Sequence, residues 1–180
     1  MLTALDADVE QVRHPEQLER IDGLILPGGE SSVIDKLARA FGLHAPLSRA
    51  IAAGLPALGT CAGMILLADR VVDGIAGQQT FGGLDMTVQR NAFGSQVDSF
   101  ETDLQFPAVG PPPVHAAFIR APVVVDHGPD VEVLSRLLDG RIVAVRRGRL
   151  IATAFHPEMT GESRIHRLFL DSVEHRRLAA

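Results

Sequence analysis

The sequence is short of several features, and each shortage excludes a class of protein. It contains one cysteine, Cys61, among 180 residues, so no internal disulfide can form and an oxidising compartment is not indicated. No apolar run approaches the ~18 residues of a membrane span, and the amino terminus lacks the basic and apolar regions of a signal peptide. The composition therefore predicts a soluble, cytoplasmic protein.

Positive charge is also scarce. The 17 Lys and Arg residues are outnumbered by 22 Asp and Glu, which gives a net charge of −5. The basic runs at 146–149 and 175–177 are short enough to be solvated surface, so neither nucleic acid nor a membrane is expected as a partner. A chain of this length fits one domain with a full core.

Apolar periodicity predicts an α/β fold with a parallel sheet, because strands and helices alternate in the first third of the chain. Residues 32–35 match a capping box, and Val33, Leu37, Ala40 and Phe41 follow on one helical face. The last two strands should form a hairpin. The predicted strands or extended segments are 23–27, 55–60, 82–88, a stretch up to Phe100, 114–119, 131–134, 141–145 and 150–155. One predicted helix begins at Ser32, and the others cover 44–53, 64–68 and 162–177.

The cysteine lies in residues 58–64, LGTCAGM, between a predicted strand and a predicted helix. The pattern G-x-C-x-G is similar to a nucleophile elbow, in which a sharp strand-to-helix turn exposes the reactive atom. Gly59 and Gly63 would allow that turn, and the helix N-terminus would favour a thiolate at Cys61. The motif alone leaves two interpretations open, a catalytic nucleophile or a buried cysteine that packs as a small hydrophobic residue.

A cysteine nucleophile needs a base, and the base needs a group that orients it. Residues 155–158, FHPE, offer both after the last predicted strand. Pro157 should impose an extended backbone on His156, so that His156 and Glu158 project to a similar side. Because the carboxyl ends of parallel strands meet at one edge of a sheet, His156 should lie near Cys61. Taken alone, His156 would be an ordinary loop histidine.

Residues 28–31, GGES, predict a turn between the first strand and the first helix. The backbone N–H groups of Gly28 and Gly29, together with that of Ala62 after the cysteine, are candidates for stabilising an oxyanion. A plain structural turn is the alternative. The other histidines lack metal-ligand spacing, and residues 74–77 match neither phosphate-loop pattern, so no metal and no cofactor is predicted.

Three of these motifs resemble the class I (triad) glutamine amidotransferases: LPGGESS at 26–32, GTCAG at 59–63 and FHPE at 155–158. Two more, QRNAFGSQVDSFE at 89–101 and FIRAP at 118–122, resemble one branch, the PdxT family. Its members are glutaminase subunits of pyridoxal 5′-phosphate synthase, in the vitamin B6 route that is independent of deoxyxylulose 5-phosphate. The resemblance covers nearly the whole chain and implies a three-layer α/β/α, flavodoxin-like fold with a mostly parallel sheet.

The resemblance also implies roles for individual residues. Cys61 would be the nucleophile, His156 the acid and base, and Glu158 the group that orients His156. Glutamine would be hydrolysed through a thioester, and its ammonia would pass to a PdxS-type synthase subunit in a large assembly of heterodimers. The glutamine-binding residues that the resemblance implies are Gly29, Glu30, Ser31, Arg90, Ile119 and Arg120.

The chain departs from the family pattern at its beginning. Family members open with a strand and a Leu-Gln-Gly stretch before the first helix, whereas residues 1–5 resemble the end of that helix. We therefore expect a single amidotransferase domain over residues 1–180 that lacks the usual first strand, which is normally central in such a sheet. A start codon assigned too late explains this better than a damaged homologue, because nothing else in the sequence looks degraded.

Two other functions stay open. The chain could be a non-catalytic subunit that docks on the synthase without forming a site. It could also be a glutaminase that serves another pathway, such as histidine or guanylate synthesis. The segments at 89–101 and 118–122 argue against the second alternative.

Overall fold

The computed structural model describes residues 1–92 and 99–179, and these form helices packed around a twisted sheet. Residues 93–98 of the family-specific segment, and most of the extended stretch predicted up to Phe100, lie outside the described residues. The helices are α1 (Ser31–Ala40), α2 (His44–Ala52), α3 (Ala62–Leu67) and α4 (Ser163–Ala179). The strands are β1 (Leu24–Leu26), β2 (Ala57–Thr60), β3 (Ala68–Val72), β4 (Leu84–Gln89), β5 (Phe100–Leu104), β6 (Val114–Phe118), β7 (Val123–His127), β8 (Glu132–Arg136), β9 (Ile142–Arg147) and β10 (Leu150–Thr153).

Eight of these strands form one sheet, in the order β1-β2-β10-β9-β7-β4-β3, with β8 also paired to β9. The β1–β2, β2–β10 and β3–β4 pairs are parallel, and the others are antiparallel. β5 and β6 form a separate antiparallel pair. The α/β class is confirmed, but the sheet is mixed rather than mostly parallel. In the described residues no α-helix lies between β4 and β10, so these strands lack the helical crossovers that usually connect parallel neighbours.

The centre of the sheet positions two loops at one edge. Every residue of β2 and of β10 is buried, which explains why both read as continuous apolar runs rather than as alternating patterns. The two strands are parallel neighbours, and Thr60 is in register with Thr153. The segments that follow them, which carry Cys61 and His156, therefore leave the sheet side by side, as predicted.

The N-terminus of α1 differs from the predicted capping box. The N-cap is Glu30, whose carboxylate accepts hydrogen bonds from the Ser32 backbone N–H at 3.4 Å and from the Ser32 hydroxyl at 3.1 Å. Asp35 does not reach back to the N-cap, because it accepts hydrogen bonds from Arg39 and from the backbone of Gln79 instead. The helix begins one residue earlier than the sequence predicts.

The predicted apolar face of α1 is present but does not face the core. Val33, Leu37 and Phe41 are 49%, 51% and 68% exposed, whereas the buried residues of this helix are Ser31, Ser32, Asp35 and Ala38. Leu37 and Phe41 line a groove of about 1240 Å³ that runs beside β1 and is also bordered by α4. The polar face is buried instead because it carries hydrogen bonds to neighbouring loops.

Most other predicted elements are confirmed, with ends that differ by at most two residues. The β9–β10 hairpin forms, and the apolar stripe of α4 packs into the core through Ile165 and Phe169. One predicted end is wrong, because Ala68 leaves the helical conformation and begins β3. Within the described residues, no helix is both long and apolar enough to cross a bilayer.

Candidate active site

Cys61 occupies the turn between β2 and α3. Its backbone adopts φ 50° and ψ −103°, a conformation that costs strain for a residue with a side chain. The Cys61 N–H donates to the Thr153 carbonyl of β10 at 2.8 Å, which holds the turn against the sheet. The side chain is 7% exposed. A strained residue between a buried strand and a helix is the geometry of a nucleophile elbow.

The two glycines of the elbow allow the backbone to pack closely. A Cβ atom at Gly63 would lie 2.0 Å from the Leu26 carbonyl oxygen, and one at Gly59 would lie 2.5 Å from the Gly63 carbonyl oxygen. Neither distance is possible between real atoms. The predicted role of these glycines is therefore confirmed, since they let α3 approach both β1 and β2.

His156 and Glu158 meet across a tight turn. His156 Nδ1 lies 2.8 Å from Glu158 Oε1, and the Met159 N–H donates to the His156 carbonyl at 3.1 Å, which closes the turn. The expected pairing is confirmed, although a turn with Pro157 at its second position produces it rather than a continuing extended strand. Because Nδ1 contacts Glu158, Nε2 is the ring nitrogen left for the thiol.

The environment of His156 favours its protonated form. A side-chain hydrogen bond with Cys61, followed by the one with Glu158, raises the pKa of His156 from 6.5 to about 10. Burial would raise the pKa of Glu158, but the hydrogen bond from His156 and a backbone hydrogen bond lower it below its usual value. At neutral pH the imidazole therefore carries a proton beside the sulfur, as a general acid requires.

Two further loops border the thiol and the imidazole. The Cys61 sulfur lies 3.9 Å from the carbonyl oxygen of Ile119, the first residue after β6. A Cβ atom at Gly28 would lie 2.3 Å from Cε1 of His156, so the 28–31 turn packs directly on the ring. The structure thus gathers the GGES turn, the elbow, the FIRAP segment and the FHPE turn into one site.

Arg90 follows β4 and is buried, with 9% of its surface exposed. Its Nη2 donates to Glu30 Oε1 at 2.7 Å, and its Nη1 donates to Gln78 Oε1 at 2.9 Å. The Gln78 amide in turn donates to the Ser31 hydroxyl at 3.0 Å. Three of the predicted glutamine-binding residues, Glu30, Ser31 and Arg90, are therefore connected in one hydrogen-bonded group.

The remaining predicted site residues have less definite partners. Arg120 is exposed, with a positive φ of 45°, and no described residue hydrogen-bonds its guanidinium. Gly29 has a φ of 135°, which favours glycine. Ala62 is the first residue of α3, so its N–H has no carbonyl partner within the helix. The proposed oxyanion role of Gly28, Gly29 and Ala62 stays a prediction.

Sequence reasoning did not identify Gln78. It lies in a polar, glycine-containing connection between β3 and β4 that matches no motif and has no apolar periodicity. Only the fold brings it to Arg90 and Ser31, so no pattern in the sequence could have indicated it.

Comparison with known proteins agrees with this geometry. The SNO glutamine amidotransferase family profile matches residues 2–175. This chain belongs to that family. A curated relative, "Pyridoxal 5'-phosphate synthase subunit PdxT" of Leifsonia xyli subsp. xyli, is 60% identical over 176 residues, which cover 98% of this chain and 89% of the relative.

Two further matches support the assignment to the SNO family. The protein of the same description from Clavibacter michiganensis subsp. michiganensis is 59% identical over 174 residues, 97% of this chain and 83% of its own length. A crystal structure of a glutamine amidotransferase superimposes with a TM-score of 0.88 at 45% identity, covering 96% of this chain and 90% of the other. The predicted class I amidotransferase-like α/β fold is thereby confirmed.

Proposed function

We propose that this chain is the glutaminase subunit of a pyridoxal 5′-phosphate synthase. It hydrolyses L-glutamine to L-glutamate and ammonia and delivers the ammonia to a PdxS-type synthase subunit. The observation that carries the proposal is the Cys61 thiol in the same site as the hydrogen-bonded His156–Glu158 pair, where Cys61 and Glu158 raise the pKa of His156, together with the Glu30–Arg90 pair. The similarity to subunits of pyridoxal 5'-phosphate synthase supports this pathway over histidine or guanylate synthesis.

The chemistry proceeds in two steps. In the first, the Cys61 thiolate attacks the side-chain amide carbon of glutamine, and the N–H groups of Gly28, Gly29 and Ala62 stabilise the oxyanion. The carbon–nitrogen bond breaks, and His156 donates its proton to the departing ammonia. In the second step His156 accepts a proton from water, whose oxygen attacks the thioester carbon. The carbon–sulfur bond breaks, which releases glutamate and restores the Cys61 thiolate beside protonated His156.

The charges around Arg90 suit an amino acid substrate. The Arg90 guanidinium supplies a cationic, multiply donating group for the α-carboxylate of glutamine. The Glu30 carboxylate next to it is placed to face the substrate ammonium, and Ser31 adds a hydroxyl. Ile119 borders the sulfur on the other side and would contact the substrate side chain together with Arg120. The size of the assembly with the synthase subunit and the cytoplasmic location stay predictions.

Labelling with a glutamine analogue tests the proposal. We expect diazo-oxo-norleucine, whose electrophilic carbon stands where the amide carbon would, to label the complex of this chain with the synthase subunit at Cys61 alone. Glutamate release from glutamine should rise when the synthase subunit is added. Peptide mass spectrometry and a glutamate assay give the two measurements.

Each alternative function predicts a different result. A non-catalytic docking subunit would form the complex but show neither labelling nor glutamate release. A glutaminase of another pathway would capture a different synthase in a pull-down and would not respond to the synthase subunit of vitamin B6 synthesis. Either result would contradict the proposal.

Replacing Gly28 by alanine should impair catalysis with little effect on folding. The added methyl would overlap the end of the His156 side chain rather than any backbone atom. The imidazole can therefore move aside at little cost in folding free energy. A displacement of about 1 Å at a catalytic group costs about 10²-fold in rate. We expect kcat/KM for glutamine to fall by about that factor. The thermal unfolding midpoint should stay close to that of the wild type, and unchanged kinetics would contradict the placement of Gly28 over His156.

A further inference from the structure

Gln78 links Arg90 to the first turn of α1. Its Oε1 accepts from Arg90 Nη1 at 2.9 Å, and its Nε2 donates to Ser31 Oγ at 3.0 Å. Arg90 is also bound by Glu30 at 2.7 Å, and Glu30 caps the same helix end. The guanidinium is therefore held from two sides by residues that both connect to α1.

The chemistry of Arg90 fixes the orientation of the Gln78 amide. An arginine side chain only donates hydrogen bonds, so the carboxamide oxygen must face Arg90 and the nitrogen must face Ser31. Gln78 is thus a neutral acceptor that orients the guanidinium without neutralising its charge. Within the described residues, Gln78 and Glu30 occupy two of the five N–H groups of Arg90, which leaves the others for a ligand.

The segment that carries Gln78 is fixed from the opposite side. The Gln79 N–H donates to Asp35 Oδ2 at 3.0 Å, and Asp35 is completely buried in α1. Arg39 donates to both carboxylate oxygens of Asp35 at 2.9 Å, which keeps the carboxylate charged and immobile. Although burial alone would raise the pKa of Asp35, the hydrogen bonds from Arg39 and Gln79 lower it. The buried polar face of α1 therefore anchors this connection between β3 and β4.

We infer that Gln78 is a positioning residue, which orients Arg90 as a cationic site for the α-carboxylate of glutamine. The inference rests on the proposed function, because it assigns a ligand to Arg90. It explains why α1 buries Ser31 and Asp35 while its apolar side is exposed. The helix is oriented by the hydrogen bonds that organise the substrate pocket.

Substitution of Gln78 by methionine tests this role, since methionine has a similar length but can neither accept from Arg90 in the same way nor donate to Ser31. In the complex with the synthase subunit, we expect KM for glutamine to rise about 10-fold while kcat stays within about twofold of the wild type. Gln105→Met is the matched control, because Gln105 is exposed and its side chain makes no hydrogen bond in the described structure.

Two alkylating reagents separate positioning from a general structural effect. Diazo-oxo-norleucine carries the α-carboxylate, so its half-saturating concentration should rise with KM in Gln78→Met. Iodoacetamide lacks that carboxylate, so its rate of reaction with Cys61 should not change. If the labelling by both reagents and kcat all decreased to a similar extent, Gln78 would be a structural residue and the inference would be wrong.

Gln78→Glu tests the importance of a neutral acceptor. Glutamate can still accept from Arg90, but a second carboxylate in addition to Glu30 would give the group a net negative charge and repel the substrate carboxylate. We expect KM to rise at least as much as in Gln78→Met, and a wild-type KM would overturn the inference. Absence of turnover in the wild-type complex would instead overturn the proposed function, whereas normal turnover with an unchanged KM in both variants would overturn only the role of Gln78.

Discussion

Replacing Cys61 by alanine is expected to lower glutamine hydrolysis by about 10⁴-fold or more, because the thioester route requires the sulfur. His156→Gln should also be severely impaired, by about 10³-fold, since glutamine cannot move a proton to the departing ammonia. The two residues act as one unit. We therefore expect the double variant to be no slower than Cys61→Ala alone, as measured by glutamate release in the synthase complex.

Measurements of folding and of binding to the synthase subunit are the controls for this double-mutant cycle. Cys61→Ala removes only the sulfur and places no new atom in the turn, so it should stay folded and bind the synthase subunit as the wild type does. Its unfolding midpoint should fall only by the stabilisation that the contact between Cys61 and His156 provides. Multiplicative losses in the double variant would show that the two side chains act independently. Substantial turnover by Cys61→Ala would eliminate the nucleophilic mechanism.

The raised pKa of His156 also predicts how the free energy of unfolding depends on pH in the wild type and in His156→Gln. Cys61 and Glu158 raise the pKa of His156 from 6.5 to about 10 on folding, so between these values the folded chain binds more protons than the unfolded chain. The resulting stabilisation is complete below about pH 6.5 and is lost as the pH rises through about 10. The free energy of unfolding should therefore fall more steeply over this range in the wild type than in His156→Gln. Equal slopes of the unfolding free energy against pH in the two proteins would contradict the raised pKa of His156.

The candidate catalytic residues could be predicted from sequence because their signals are local. The elbow around Cys61 combines a strand, two close-packing glycines and a helix start within seven residues, and His156 and Glu158 are separated by one proline. Parallel pairing of β2 and β10 then brings the two segments together. Each step follows from short-range patterns and from one rule about strand ends.

The elements that the sequence did not reveal depend on contacts between distant segments. β3 has a mostly exposed surface at one end of the sheet, so it lacks both the apolar run and the alternation that predict a strand. β7 consists of three valines followed by polar residues, which is too short an apolar run to predict a strand. It pairs with β4 and β9, and its sequence does not indicate these partners. The burial of Asp35 likewise depends on Gln79, which is 44 residues away along the chain.

Replacing Gly63 by alanine is expected to destabilise the fold, even though alanine favours helices by about 1 kcal/mol over glycine. The new Cβ atom would lie 2.0 Å from the Leu26 carbonyl oxygen and 2.9 Å from its carbon, so the overlap is with backbone and no side-chain rotation relieves it. The first turn of α3 would have to move away from β1. Overpacking of this kind costs about 3 kcal/mol or more, and for a chain of this size that lowers Tm by roughly 6–12 °C.

Urea unfolding of Gly63→Ala measures this cost, and Gly74→Ala is the matched control because its methyl would meet Val71 Cγ1 at an ordinary 3.5 Å. Movement of α3 also shifts Cys61, which is the N-cap of that helix, so the variant should lose activity together with stability. Gly28→Ala should lose activity alone, because it displaces only the His156 ring. If Gly63→Ala were instead more stable, as helix propensity alone would predict, the close approach of α3 to β1 could not be what holds the cysteine in its strained turn.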